Sequence, residues 1–413
     1  MATSAHELII AFNNGRDPER LALKYKAMAD GPFPFLRGTC HLFYQRLIEN
    51  KLATGGPAAW ICGDLHLENF GTYLGDNGLT YFDVNDFDEA VLAPVTWDIL
   101  RLVTSVYVAA PGLGLVDGDG DALARDLAET WRTELTAGKP RWIERKTADG
   151  IIGALMDDLK TRRPAKFLDR RTTLKKAKRK IDLGNGKALA ITVDDRARLD
   201  ALCEKLGFAF HNPDYFRFLD AARRIAGTGS LGIPRFIVLV EGKGSPGGNV
   251  LLDLKEARPT AVALYSPSTQ PGWPDEAHRM VAVTGRCQAV SPHLLRPVIF
   301  GGKCYVLREL QPTADRLNLQ VAAEANRSEF RDAVLTMGKL AAWAELRSTG
   351  RDGSATADGV IAFAGDPSVT TSILDAARAM AKITWNDWEN FAAGYQAGQS
   401  PKPEKPRLAT RAS

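Results

Sequence analysis

The chain has 413 residues and a net charge of +4, and 45% of its residues are hydrophobic and 25% charged. A chain of this length can form two or more domains or lobes, and its composition is typical of a globular protein. So small a net charge identifies no partner. The five cysteines lack a C-x-x-C pair, and no two of the six histidines are four residues apart. These spacings argue against a disulfide framework, a thiolate zinc site and a histidine-rich metal centre.

Apolar runs in this sequence are short. None approaches the ~20 residues that span a bilayer, and the first residues lack the basic flank and apolar core of a secretory signal. We therefore expect no membrane partner and a cytoplasmic protein.

The first half of the chain is predicted to be mostly helical. A proline-rich stretch at residues 31–34 predicts an extended turn, and residues 58–62 form a short buried strand. A hairpin follows over residues 70–84, because the turn dipeptide Asn77-Gly78 tolerates positive φ. A helix begins after Pro94. The other helical segments of this half are residues 16–30, 36–51, 121–136, 150–160 and 196–206.

Near residue 215 the pattern changes to short β-rich runs, and after residue 324 it is helical again. One helix is predicted within the β-rich part, at residues 275–288. The predicted strands are residues 221–226, 234–241, 249–256, 260–264, 298–300 and 304–310. Strands with a single helix between helical flanks predict an α+β protein. We divide it into residues 1–212 (helical lobe, first part), 213–312 (β-rich nucleotide-binding lobe), 313–400 (helical lobe, second part) and 401–413 (disordered tail).

The strongest chemical signal is a cluster of acids and an amide around residues 63–88. Asp64 follows a glycine at a strand end, Asn69 lies five residues later, and Asp86 ends the next hairpin strand. Such spacing is typical of kinase-type phosphotransferases, in which the first Asp orients a hydroxyl while the Asn and the last Asp hold Mg²⁺ on nucleotide phosphates. Asp83 and Asp88 are close enough in sequence to compete for the metal role. The structural alternative is that these residues only cap turns; their density favours function.

A glycine-rich segment provides a candidate phosphate loop. Its residues are Gly227, Thr228, Gly229, Ser230, Leu231 and Gly232. A strand follows it instead of the helix that a Rossmann site needs, which favours a kinase-like phosphate-covering loop. Lys255 lies on the next predicted strand, where a lysine would pair with the α- and β-phosphates. A plain structural hairpin remains the alternative for the glycine segment alone.

Two further features stay open at this level. The strand at residues 304–310, with Glu309, is either a hinge that meets an adenine edge or a core strand. The predicted helix at 275–288 has acids only at its start, Asp275 and Glu276, so the acidic partner of Lys255 is not identified.

A basic run lies between Lys160 and Lys180. It is either a solvated surface, which we favour, or a docking patch for a phosphorylated or nucleic-acid substrate. Aromatic residues do not alternate with the basic ones, which argues against a nucleic-acid partner.

The segment from Gly63 to Asn69, with residues 85–90 and Asp98, resembles the H-G-D-x-H-x-x-N … I-D-F-x-D-A … D signature of aminoglycoside-phosphotransferase-like kinases, although Cys62 replaces the leading His. On this basis His66 joins Asp64 among the candidate catalytic residues. Residues 32–38, 63–90, 222–232 and 254–257 resemble a bacterial family called domain of unknown function 2252, which is grouped with protein-kinase-like folds. The resemblance implies a two-lobed kinase-like fold that binds ATP and Mg²⁺, and it implies no particular substrate.

The order of these parts differs from that of an ordinary kinase, because the nucleotide-binding segments follow the catalytic ones. We therefore expect a circularly permuted kinase-like fold, with Lys255 facing Asp86 across a cleft and a helix at residues 330–347 beneath Asp64. The predicted function is ATP- and Mg²⁺-dependent phosphoryl transfer to a hydroxyl of an unidentified acceptor, which would be anionic if the basic run is its docking patch.

Two alternatives remain. One is a nucleotide-binding protein without phosphotransfer, which Cys62 and the missing helix acid favour. The other is a metal-dependent phosphoesterase built on Asp64 and His66, for which further ligands are missing from the sequence.

Overall fold

The structure is a computed structural model that describes residues 4–115, 118–161, 164–225, 229, 231–310 and 316–398. It is a mixed α+β protein, as predicted. The first elements in chain order are α1 (Ala5–Phe12), α2 (Pro18–Ala29), α3 (Pro32–Gly38), α4 (Cys40–Glu49), β1 (Ala58–Ile61), β2 (Phe70–Leu74), β3 (Thr80–Val84), β4 (Val91–Pro94), α5 (Thr96–Ala109), α6 (Asp119–Ala137) and β5 (Ile143–Glu144).

The middle and last parts of the chain follow. They comprise α7 (Gly150–Thr161), α8 (Pro164–Asp169), β6 (Thr172–Lys175), β7 (Lys178–Ile181), β8 (Ala188–Leu189), α9 (Val193–Ala209), β9 (Phe218–Arg224), β10 (Arg235–Val240), β11 (Val250–Glu256), α10 (Glu276–Cys287), β12 (Arg296–Phe300), β13 (Lys303–Glu309), α11 (Leu319–Ala325), α12 (Arg327–Ser348), α13 (Ala357–Ala364) and α14 (Ser368–Gln396). Within the described residues, no helix combines the length and the apolarity that crossing a bilayer requires. The predicted tail at 401–413 lies outside the described residues.

Two local predictions are wrong. Residues 31–34 do not form an extended turn, since α3 begins at Pro32; proline suits the first turn of a helix, where its missing N–H would have no partner. Residues 260–264 are not a strand, because Val262–Leu264 forms a 3₁₀ helix. There the Glu89 carboxylate accepts hydrogen bonds from the Ala261 N–H at 2.7 Å and the Thr260 hydroxyl at 3.0 Å, which draws the chain into a turn.

Six antiparallel strands form the main sheet in the order β12-β13-β11-β10-β9-β8. Residues paired across antiparallel strands share a face of the sheet. One face is apolar and packs against α9 through Leu199 and Cys203. The opposite face is divided. Its apolar half packs against Leu168 and Ile181 of the α8 and β6–β7 segment, and its polar half carries the side chains Arg224, Arg235, Asp253, Lys255 and Arg308.

The largest core joins the helices to the two small sheets around them. It contains the fully buried Trp60 of β1, Trp97 of α5 and Trp131 of α6, packed with residues of α12 and α14. Helix α10 belongs to two cores, because Val283 and Cys287 face this large core whereas Ala277 and Met280 pack with Val306 of β13. The main sheet is therefore fixed to the helical part of the protein by α10.

One turn brings the two halves of the 63–90 segment together. The strand β1 pairs antiparallel with β4, and the turn after β1 begins at Gly63, whose φ is +81°. A Cβ atom at Gly63 would lie 2.2 Å from the carbonyl oxygen of Glu89. Only glycine permits both this conformation and this approach.

We expect Gly63→Ala to destabilise the protein more than Gly78→Ala does. Both positions have φ near +80°, so each substitution costs about 1–2 kcal/mol of backbone strain. A Cβ at Gly78 meets nothing within 4 Å, however, whereas at Gly63 it collides with the Glu89 backbone. Thermal or urea unfolding of the two variants measures the difference, and equal losses would contradict this account of the turn.

Candidate functional site

A cavity of about 220 Å³ lies between the polar half of the sheet face and the segments 63–69 and 85–89. Both signs of charge line it. The acids are Asp64, Glu68, Asp86, Asp88, Glu89, Asp253 and Glu256. The cations are Arg16, Lys24, Arg37, Arg224, Arg235, Arg258, Arg308 and Arg316.

Asp64 follows the Gly63 turn and lies at the cavity wall with 23% of its side chain exposed. A buried arginine, Arg101 of α5, donates to the Asp64 carboxylate through both Nε, at 2.9 Å, and Nη2. Burial raises the pKa of Asp64, and the charge of Arg101 offsets part of that rise. Arg101 also donates to the Leu36 carbonyl at 2.9 Å, so its guanidinium joins the catalytic candidate to α3.

The turn that carries Asp64 is held by a second buried acid. The Asp98 carboxylate accepts hydrogen bonds from the backbone N–H of Cys62 at 2.7 Å and of Gly63 at 2.9 Å. Burial raises the pKa of Asp98 to about 6, against the effect of these two N–H donors. Asp98 therefore holds the backbone of the two residues that precede Asp64, and it is not among the residues that line the cavity.

Asn69 connects the two loops of the acidic cluster. Its side-chain nitrogen donates to the carbonyl oxygens of Asp64 and Asp86, each at 3.3 Å. The Asp86 side chain is half-buried, which opposes ionisation of its carboxylate, but the charges of Lys255 and Arg308 outweigh this effect and lower its pKa. The structure therefore brings Asp64, Asn69 and Asp86 together, as the sequence predicted, with Asp86 as a carboxylate that stays charged.

Lys255 extends from β11 toward this cluster and forms an ion pair with Asp88. Burial lowers the pKa of Lys255, and the negative charge of Asp86 counteracts that effect. A smaller cavity beside the first is lined by Lys255 together with Asp86 and Asp88. The acidic partner that could not be identified in the helix after β11 is thus Asp88, from the loop after β3.

Helix α10 contributes an arginine to the site instead of an acid. Arg279 donates to the backbone carbonyls of Asp88 at 3.0 Å and Arg258 at 3.1 Å, and also to Ala90. Glu276, one of the two acids at the start of the helix, pairs with Arg279 at 2.6 Å. The loop that carries Asp86 and Asp88 is therefore held in place from α10.

Asp253 forms a compact ionic group on the sheet face. Its buried carboxylate contacts the guanidinium groups of Arg235, of Arg224 at 2.9 Å and of Arg308 at 3.8 Å. Burial opposes its ionisation, yet the arginine charges hold the pKa of Asp253 well below its usual range. Three cations around one anion leave this wall of the cavity positively charged, next to Lys255.

The remaining predicted residues occupy different places. His66 lines the cavity, and its Nδ1 accepts a hydrogen bond from the Glu68 N–H at 3.2 Å. Burial keeps the pKa of His66 well below the ordinary value. Asp83 does not line the cavity; it pairs with Arg347 of α12 at 3.1 Å. Its carboxylate therefore joins β3 to α12 and does not meet Asn69 and Asp86.

Glu309 borders a separate cavity of about 310 Å³, which also includes Thr72, Leu74 and Arg308. The backbone of β13 is paired with β12 on one side and with β11 on the other. A hinge role for this strand is therefore limited to its last residues.

The glycine segment is described only in part. Gly229 lines the cavity, and its carbonyl oxygen accepts from Lys24 at 3.0 Å and from Arg16 at 3.2 Å. The Gly232 carbonyl accepts from the Asp17 N–H at 3.3 Å. Through these hydrogen bonds the glycine segment contacts the α1–α2 region, a contact that the sequence did not predict. Gly227, Thr228 and Ser230 lie outside the described residues.

The basic run does not contribute to this cavity through any side chain described between residues 166 and 180. The run contains α8 and the β6–β7 hairpin, most of whose basic side chains are exposed. Arg179 is an exception: it is buried and pairs with Asp169 at 2.8 Å.

Arg101 and Lys24 are site residues that sequence reasoning missed. Arg101 had a detectable signal, because it is a single cation among the apolar residues Ile99, Leu100, Leu102 and Val103 of a helix buried on nearly all sides. A charge at such a position requires a buried partner. Lys24 had no comparable signal, since its helix carries charged residues on several sides.

Asp98 is expected to make stability depend on pH. Its pKa in the folded chain, about 6, exceeds the ordinary value of 3.8. The folded state therefore binds this proton more tightly, and the contribution of Asp98 to stability falls as pH rises from about 4 to about 6, by at most about 3 kcal/mol. We expect Asp98→Asn to lose this component. Unfolding free energies of both proteins between pH 4 and 7 test this, and a difference that is constant with pH would contradict it.

Comparison with known proteins assigns a family to the chain. Searches of curated proteins and of solved structures gave no match. Among the described residues, no group of three or more His, Cys, Asp or Glu is arranged to hold a metal ion. A model of a bacterial family, described as "Uncharacterized protein conserved in bacteria (DUF2252)", matches residues 16–394. Because this match covers most of the 413 residues, the chain belongs to the DUF2252 family.

Proposed function

We propose that this protein is a kinase-like phosphotransferase that transfers the γ-phosphoryl group of ATP to a hydroxyl acceptor in a Mg²⁺-dependent reaction. The observation that supports it is the meeting of Asp64, Asn69 and Asp86 at one cavity, opposite a sheet from which Lys255 reaches the same loop. These are the residue types that a phosphoryl-transfer site requires, and positioning with charge stabilisation accounts for most of such catalysis.

In this proposal Asp64 orients the acceptor hydroxyl. As the acceptor oxygen forms its bond to the γ-phosphorus, the bond between that phosphorus and the bridging oxygen of the β-phosphate breaks. The acceptor proton passes to the Asp64 carboxylate and then to solvent, and ADP leaves with the electron pair of the broken bond. Lys255 exchanges Asp88 for the phosphates and stabilises the charge that develops on them.

The residues of the cluster fit a magnesium ion held with nucleotide phosphates. Asp86 is kept ionised by its cationic neighbours. Asn69 directs its side-chain nitrogen to two backbone carbonyls, so its amide oxygen is the atom that would ligate. Mg²⁺ typically takes one or two carboxylates and completes its shell with phosphate oxygens and water. The ion would supply charge neutralisation at the β- and γ-phosphates. Asp83 is not part of this site, because Arg347 engages it.

The cavity of about 310 Å³ that Glu309 borders is the proposed location of the nucleotide base. Arg308 lines both this cavity and the one that contains Asp86, so a nucleotide could extend from one to the other. Glu309 borders this proposed base cavity, and burial raises the pKa of its carboxyl group. A carboxyl group that is protonated more readily than usual could donate to a ring nitrogen of the base.

A circularly permuted kinase-like fold is the architecture that we propose for these parts. The catalytic loop and metal-binding hairpin come first, the sheet with Lys255 second and the remaining helices last. Helix α12 supports this arrangement, because Ser348 donates to the Trp60 carbonyl of β1 at 3.5 Å and Arg347 binds Asp83 of β3. The helix thus lies against both strands that lead to the acidic cluster.

Two observations favour a second candidate, a nucleotide-binding protein that transfers no phosphate. Arg101 engages the Asp64 carboxylate with two nitrogens, which weakens it as a proton acceptor. Cys62, where kinases of the resembled class have histidine, points in the same direction. The two candidates differ in turnover and not in nucleotide binding.

A nucleotide-binding and turnover experiment tests the proposal. We expect Mg²⁺·ATP to raise the melting temperature of the wild-type protein and to be consumed in the presence of a small-alcohol panel. Asp64→Ala should reduce consumption by roughly 10²–10⁴-fold while keeping the thermal shift, because in this proposal Asp64 acts on the acceptor hydroxyl and not on the nucleotide. Lys255→Met should reduce the thermal shift, and Lys205→Met, at an exposed position of α9, is its matched control. A thermal shift without turnover would favour the second candidate, and no shift would contradict both.

Arg101 should control the pH dependence of turnover. Its charge lowers the pKa of Asp64, so Arg101→Met should raise that pKa and leave less of the carboxylate ionised at a given pH. The acidic limb of the kcat/KM profile is then expected to move to higher pH. Arg101→Lys, which retains a positive charge, should show a smaller shift. Identical profiles for the two variants would exclude this electrostatic role.

A further inference from the structure

One end of the cavity is formed by the helices that precede the catalytic turn. Lys24 of α2 is the central residue there: it is only 1% exposed, and its ammonium group donates to the Gly229 carbonyl at 3.0 Å. Within the described part of the chain no carboxylate forms an ion pair with it. An ammonium group has three donors, and a buried charge without an opposite charge is costly to maintain.

A second cation shares the same neutral acceptor. Arg16 donates to the Gly229 carbonyl at 3.2 Å, so the two cations meet at one oxygen atom. Burial lowers the pKa of Lys24, and the charge of Arg16 lowers it further. Burial and the nearby charge of Arg258 have the same effect on the pKa of Arg16. The charges of Glu89 and, for Lys24, of Asp64 act in the opposite direction, but none of the described carboxylates forms an ion pair with either cation.

His41 provides an independent observation at the same place. It is 5% exposed and lines the cavity, and its ring stacks on Phe12 with centroids 3.7 Å apart. Neither of its ring nitrogens has a hydrogen-bond partner. Buried polar groups are nearly always paired, so an orphaned imidazole beside two cations indicates that a bound group supplies the partner.

This end of the cavity lies next to the proposed catalytic residue. Cys40, adjacent to His41 on α4, donates to the Gly63 carbonyl at 3.5 Å, and the Tyr44 hydroxyl donates to the same oxygen at 2.7 Å. The charge of Asp64 acts on Lys24 as well as on Lys255. Lys24 and Asp64 also line the same cavity of about 220 Å³, so a molecule bound at Lys24 shares that cavity with Asp64.

We propose that Lys24, Arg16 and His41 form an anion-binding subsite, and that the acceptor is an alcohol that carries a phosphate or carboxylate group bound there. The acceptor assignment rests on the proposed phosphotransferase function, whereas anion binding itself does not. The subsite gives the segment before the catalytic turn a role in substrate recognition: two cations and an imidazole hold the anionic group, and Asp64 receives the hydroxyl.

Calorimetric titration of the full chain with inorganic phosphate, and separately with acetate, tests the subsite without nucleotide. We expect at least one of the two probes to bind, and the stronger one identifies the anion class. Lys24→Met should weaken that binding roughly tenfold or more, because a charge-assisted hydrogen bond is lost. Lys26→Met, at an exposed position of the same helix, should bind as the wild type does.

Three results would overturn the subsite: no binding of either probe to the wild type, unchanged binding to Lys24→Met, or loss of binding in Lys255→Met instead. The last would assign the anion to the nucleotide phosphates. Lys24→Arg, which keeps the charge, should retain binding, and melting temperatures show that each variant is folded. These results do not depend on ATP turnover, so failure of the proposed function would leave them intact.

The acceptor class is tested by ATP consumption with glycerol 3-phosphate against glycerol as probes. We expect faster consumption with the anionic probe, and Lys24→Met should abolish that preference. Equal rates in an active wild-type protein would contradict an anionic acceptor, while Mg²⁺·ATP consumption itself would still support the phosphotransferase.

Discussion

The arrangement of the site depends on the close approach of Gly63 to the carbonyl of Glu89. This contact joins the turn after β1 to the loop before β4, and those two segments carry Asp64 and Asp86. Asp98 holds the same turn from beneath through the N–H groups of Cys62 and Gly63. With the backbone fixed at this point, Asn69 can bridge both loops with one amide group.

Several charged side chains of the cavity are paired with one another within the protein. Arg101 engages Asp64, Asp88 engages Lys255, and Asp253 lies among arginines of the sheet. Groups that we assign to substrate or nucleotide are thus already paired within the protein. Buried ion pairs cost desolvation that their attraction only partly offsets, so a ligand that exchanges one partner for another can bind without leaving a charge unpaired. At the Lys24 end the described residues provide no such ion pair, and this difference distinguishes the two ends of the cavity.

Helix α10 illustrates why a kinase comparison from sequence was incomplete. In that comparison the helix after the lysine strand supplies an acid, and none was found at a suitable position. In the structure the acid paired with Lys255 is Asp88, in a loop more than 160 residues earlier, and Arg279 of α10 donates to the backbone of that loop. Helical periodicity could identify the helix and its buried face, but the target of a single arginine on that face depends on which distant segment packs against it.

The sequence by itself determined the features that depend on neighbouring residues. These are the α+β composition, the hairpin of β2 and β3, and the spacing of Asp64, Asn69 and Asp86, because turns and strand pairing over 25 residues leave few ways to arrange those side chains. Local sequence patterns gave the wrong structure at Pro32, because proline suits both an extended turn and the first turn of a helix. They also failed at residues 260–264, where hydrogen bonds to the distant Glu89 carboxylate favour a turn over a strand. Only the tertiary structure decided that Arg101 holds Asp64, that Asp83 faces α12, and that α2 and α4 close one end of the cavity. Each of these is a contact between segments far apart in the chain, fixed by how the helices pack and not by the pattern of any one of them.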